Sequence, residues 1–94
     1  MALSEHPGFS ERVFVLAGSY SEYVYYKANR AVPHNSIHIT HWSKLMGIER
    51  GTADLVKVGT WDERPYRDIV EILDICRSRQ MREVPPLREV TAWH

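Results

Sequence analysis

Residues 12–17, RVFVLA, form a nearly unbroken apolar, β-prone run that stops at Gly18. A strand with one face in water alternates polar and apolar positions, whereas a strand buried on both faces reads as a continuous apolar run. This stretch is therefore expected at the centre of a sheet that is covered on both sides.

The residues after Gly18 set the fold class. Ser19 and Glu22 have the S-x-x-E spacing of a capping box, in which the serine takes a backbone N–H of the first turn and the glutamate reaches back to the cap. The spacing predicts a helix over 20–30 with Tyr20, Tyr23, Val24 and Ala28 on its buried face and Ala31 beyond it. VPHNS (32–36) is a turn, with Pro33 and Asn35 as breakers. IHITHW (37–42) alternates as a second strand: Ile37, Ile39 and His41 share one face, and His38, Thr40 and Trp42 the other. Residues 43–53 hold one helical turn at most. LVKVGT (55–60) reads as a third strand, with Lys57 marking it as an edge. The clearest helix is 62–80, with Asp62 as cap, Pro65 in the first turn and Asp68 at the positive end. Its buried stripe is Ile69, Ile72, Leu73 and Cys76.

Strands alternating with helices point to a parallel sheet in an α/β fold. The expected architecture is a Rossmann-like or flavodoxin-like half: three parallel strands in the order 2-1-3 with two main helices, in two or three layers. At 94 residues the chain is one domain, with a loose lead-in (1–10), a core (12–80) and a tail (81–94). The tail is expected to add a short strand or an arm to a second subunit. In that order a switch point falls between the first and third strands, where open α/β sheets bind ligands at the strands' carboxyl ends.

The two loops at that point supply the candidate ligand site: Gly18, Ser19 and Tyr20 after the first strand, Gly59, Thr60 and Trp61 after the third, and Arg64 as an anion contact. Neither the G-x-G-x-x-G nor the G-x-x-x-x-G-K-[ST] phosphate fingerprint occurs, so no cofactor is implied. Glu22 would also put negative charge where a phosphate would sit. His38 and His41, three apart on a strand, point to opposite faces and cannot clamp one metal, and one cysteine gives no zinc set. Ser19, His41 and Asp62 all lie near strand ends, but the G-x-S-x-G elbow is missing; no catalytic residue is assigned. His41 is read as a core-edge histidine and Cys76 as a small apolar packing group.

Tyrosine and tryptophan carry the stronger signal. Tyr20, Tyr23, Tyr25, Tyr26, Tyr66, Trp42, Trp61 and Trp93 exceed what a three-stranded core can bury, and such side chains are enriched at interfaces. Tyr25, Tyr26 and Trp93 are the interface candidates. Lys plus Arg and Asp plus Glu both total 12, a balance that disfavours nucleic acid as partner. The lone Cys76 fits a reducing compartment. No run reaches the ~20 apolar residues of a membrane span, and the N-terminal residues lack a signal-peptide pattern. A cytoplasmic protein without membrane contact is expected.

VFVLAGSYSEYVYY, the short strand ending in IHITHW, and LVKVGTWDERPYRDIVEIL together resemble a group of small bacteriophage-encoded proteins in which one strand ends in A-G-x-Y-x-E and a later one in V-G-T-W-x-E-R-P. The match covers roughly residues 12–80, and Gly59-Thr60-Trp61-Asp62-Glu63-Arg64-Pro65 is its most specific part. The resemblance implies a phage accessory protein working in the bacterial cytoplasm and implies no catalytic residue. Together these readings favour a non-enzymatic protein that self-associates, as a dimer, or binds a host or phage protein. The alternative is a nucleotide or small-anion binder, or an enzyme, working at the crevice of strands one and three.

Overall fold

In the computed structural model, which describes residues 12–90, four strands form one wholly parallel sheet. They are β1 (Arg12–Leu16), β2 (Ile37–His38), β3 (Ala53–Lys57) and β4 (Arg82–Glu83), in the spatial order β2-β1-β3-β4. Two α-helices connect them, α1 (Tyr20–Ala28) and α2 (Tyr66–Ser78), with 3-10 turns at Trp42–Leu45 and Trp61–Glu63. The lead-in (1–10) and Trp93 lie outside the described residues.

β1 is the strand that the apolar run requires. It pairs with β2 on one side and β3 on the other, with Val15 opposite both His38 and Val56. Its alternate residues feed two cores. Val13, Val15 and Ala17 join Tyr23, Tyr26, Val56 and Val58 on the α1 side, and Phe14 and Leu16 join Leu55, Ile72 and Cys76 on the α2 side. The sheet is thus the middle of three layers, and a parallel sheet buried on both faces needs that cover.

The three-stranded expectation is corrected by β4, which the tail contributes. Its two residues are exposed and polar, so no hydrophobic pattern announces it. It is held by pairing. Asp54, fully buried in β3, sits in register with Arg82 and its Oδ2 accepts from the guanidinium at 3.0 Å. Lys57 meets Glu83 at 3.1 Å, and the Val84 N–H donates to the Leu55 carbonyl at 2.9 Å. β3 is consequently an interior strand, and Lys57 marks a charged pair where an edge was expected.

Four local readings also change. β2 keeps only two of its six predicted residues, because the chain turns at Thr40 into the 3-10 segment. There His41 is exposed, its Nδ1 taking the Ser43 N–H at 3.3 Å, so it is a turn cap and not a core histidine. α2 begins at Tyr66 after Pro65, and Asp62 lies in the preceding 3-10 turn instead of capping the helix. In α1 the buried face is Glu22, Tyr23 and Tyr26, while Tyr20, Val24 and Ala28 face outward. Both helices end alike. In α1, Arg30 and Ala31 donate N–H groups to the Lys27 and Tyr26 carbonyls; in α2, Gln80 and Met81 do so to Arg77 and Cys76. This is the paired bond pattern of a Schellman motif.

Arg82→Ala should lower stability by ~1–2 kcal/mol, less than a fully buried pair would lose because Arg82 is itself half exposed. Hydrogen exchange should quicken at residues 82–84 before it does at β1. Unchanged exchange there would show that β4 does not depend on Asp54.

Candidate functional site

The carboxyl ends of β1 and β3 do meet, and the space between them is filled from within. Ser19, in extended conformation, caps α1 through its hydroxyl, which accepts the Glu22 N–H at 3.1 Å. The Glu22 carboxylate reaches past the usual capping-box partner. It accepts from the Gly18 N–H at 2.7 Å, then crosses 38 residues of sequence to the Thr60 N–H at 3.0 and 3.1 Å and the Thr60 hydroxyl at 3.1 and 3.3 Å. Glu22 is 1% exposed. Among the described residues no cation pairs with it; the Gly18 N–H before α1 and the Thr60 N–H and hydroxyl after β3 meet its charge instead.

The two glycines follow from that carboxylate. A Cβ at Gly18 would collide with the Thr60 hydroxyl and lie 2.8 Å from Glu22 Oε1. At Gly59, with φ +60°, it would run into the Glu22 carboxyl carbon. The groups expected to cradle an external anion at Gly18, Gly59 and Thr60 therefore cradle the chain's own.

Arg64 is likewise engaged. Its side chain is 9% exposed. Nε donates to Asp68 Oδ2 at 2.8 Å, Nη1 to the Ala17 and Ile39 carbonyls at 3.1 and 2.8 Å, and Nη2 to the Thr40 carbonyl at 3.3 Å. It ties the ends of β1 and β2 to the start of α2. Trp61 is half-buried against the α2-side core, with Lys57 Nζ 4.5 Å above its ring.

With Glu22 as a wedge, the expected site divides. Gly18, Ser19, Tyr20 and Arg64 line a cleft of about 430 Å³ at the ends of β1 and β2, whereas Gly59 opens on a separate hollow beside Tyr26 and Pro86. The first cleft holds a residue that the sequence reading weighs only as a metal ligand and leaves out of the site. His38, 8% exposed, stacks on Tyr23 with centroids 5.1 Å apart and touches Tyr20 at 5.9 Å. Both its ring nitrogens are buried without a hydrogen-bond partner, and no other side-chain nitrogen or oxygen among the described residues is in that state. Burial lowers its pKa from 6.5, the positive charges of Arg64 and Lys44 lower it further, and the nearby Ala17 carbonyl, short of hydrogen-bond geometry, pulls the other way. Its sequence signal is no more than a histidine sharing a strand face with Thr40 and Trp42.

The interface candidates are placed differently from expectation. Tyr26 is 8% exposed and belongs to the α1-side core, so it offers no sideways face. Burial first, then the negative charge of Glu22, raises its phenol pKa. Tyr25 packs edge-on against Tyr26, partly buried. The outward aromatics are Tyr20 at 63% and Tyr66 at 82% exposure. Cys76 is a buried thiol pushed up to about 11 by desolvation, which keeps it protonated and unreactive near neutral pH. No cluster of three metal-ligating side chains occurs among the described residues, and no described helix is long and apolar enough to cross a membrane.

No protein-family profile, curated protein or solved structure matches this chain.

Glu22→Ala leaves the Gly18 and Thr60 N–H groups without their acceptor and should cost about 2–4 kcal/mol, against about 1 kcal/mol for Thr60→Val, which removes only the hydroxyl donor. Urea denaturation of both variants checks the ranking; equal losses would contradict it. His38 gives a pH signature. Below pH 6.5 the unfolded chain takes up a proton that the folded ring resists, so stability falls from there toward the lower folded pKa; above 6.5 the effect is absent. The stability difference between about pH 8 and about pH 5 should therefore shrink in His38→Phe.

Proposed function

We propose that this chain is a small accessory protein that works by protein–protein contact, first of all with a second copy of itself, and has no catalytic role. One observation carries the reading: Tyr20 and Val24, one turn apart on α1, expose 63% and 43% of their surface beside β2, an edge strand of the sheet. Ile37, on the other face of that edge, is 37% exposed. Soluble chains seldom leave such side chains together without use.

The edge adds a backbone element. The Ile39 N–H points to the Val15 carbonyl, so strand alternation turns the His38 N–H and C=O away from β1. A two-fold contact would let two β2 strands exchange that pair while Tyr20 and Val24 meet their own copies. The resemblance to phage-encoded proteins extends the same reading to a host or phage protein, in the bacterial cytoplasm. The alternative, an anion or nucleotide phosphate between β1 and β3, is disfavoured because the Glu22 carboxylate occupies that position.

Sedimentation equilibrium of wild type and Val24→Glu tests the proposal, since Val24 is exposed and its replacement should leave the fold intact. A wild-type dimer that Val24→Glu converts to monomer is the expected result. A monomeric wild type that also captures nothing specific from bacterial lysate rejects the interaction reading.

A further inference from the structure

The interaction surface leaves the His38 cleft unexplained. Burying a polar ring without a partner is costly, and native proteins seldom do so without a reason. Three features describe what would satisfy it. First, the cleft is rich in acceptors. A neutral imidazole presents a lone pair, and Asp68 and Glu63 contribute carboxylates to the walls. Arg64, its one arginine, spends donors on three strand-end carbonyls and Asp68. A phosphate would therefore face acceptors, and an N–H-bearing group would face partners. Second, the cleft has aromatic walls: the His38 ring lies flat on Tyr23, and Tyr20, exposed over 63% of its surface, leans against the imidazole where a side chain could swing aside. Third, about 430 Å³ falls within the range of small-molecule sites.

We infer that this cleft binds a planar, amino-bearing nitrogen heterocycle of the nucleobase class, with the exocyclic amine directed at the His38 ring and the Asp68 carboxylate and the ring system stacked by Tyr20. The site is distinct from the β1–β3 crevice and shares Tyr20 and His38 with the proposed dimer contact, which uses the outer face of Tyr20 and the His38 backbone, whereas the cleft uses the His38 ring. Base recognition here requires no phosphate contact, which fits a chain without a phosphate fingerprint.

The test is titration of the native protein with adenosine, cytidine, uridine and inorganic phosphate, each to about 10 mM, the weak-binding range of small ligands. Ring resonances of His38 are read by NMR. Saturable shifts with adenosine or cytidine, and none with uridine (which lacks the exocyclic amine) or phosphate, are expected. His38→Phe and Tyr20→Ala should each weaken that binding by roughly 10-fold or more, as loss of a buried hydrogen bond or a stacking partner does. Tyr20 is mostly exposed, so its variant reports even if His38→Phe proves unstable. In Val24→Glu, where no second copy covers Tyr20, adenosine or cytidine should bind at least as tightly as to wild type; weaker binding there would count against the inference. The inference is overturned if neither amino base shifts His38, if uridine or phosphate does so equally, if N-acetylarginine amide binds in place of the bases, or if Tyr20→Ala binds undiminished.

Discussion

The carboxylate of Glu22 is the constraint on which this end of the molecule is built. An ion taken out of water is expensive unless several donors surround it. Here those donors come from two loops far apart in sequence, at Gly18 and Thr60. The bonds fix how closely the exits of β1 and β3 approach, why each exit carries a glycine, and why α1 starts where it does. Removing the charge would undo a tertiary clasp while leaving the Ser19 cap on the Glu22 N–H in place.

Arg64 is the complement of that clasp. Glu22 gathers N–H groups from β1 and β3, and Arg64 gathers carbonyls from β1 and β2. One anion and one cation thus lace three parallel strand ends, where unpaired backbone groups would otherwise accumulate. The chain uses as internal glue the strand-end and helix-start dipoles that can elsewhere hold a phosphate. What stays open is displaced sideways to the β1–β2 exits, over the unpartnered His38.

The parts of this fold that can be read from sequence are those encoded by local pattern. The unbroken RVFVLA run places β1 at the centre, Ser19 marks the α1 cap, and the Ile72–Cys76 stripe marks the buried side of α2. The parts that escape are encoded by pairing across distance. β4 has no pattern of its own; it exists because the buried Asp54 acquires Arg82. Glu22 satisfies a local motif on paper, yet its decisive partner is Thr60, which no helical spacing can indicate. Tyr26 was surplus only for a helix face drawn through Tyr20 and Val24. The real face, rotated to bury Glu22, needs Tyr26 and releases those two. The same rotation brings Tyr20 against His38, while the Glu22 charge sits where the sequence puts it, in the place of a phosphate.

Both helices hand the chain back to the sheet through residues in left-handed conformation, Arg30 at φ +61° and Gln80 at φ +54°, where glycine would sit without steric cost. Each costs roughly 1 kcal/mol in backbone strain. In a chain this short that is a noticeable share of a small total. The fold therefore tolerates helix endings well short of optimal, and its thermal margin has room to rise at two exposed positions that belong to neither the clasp nor the cleft.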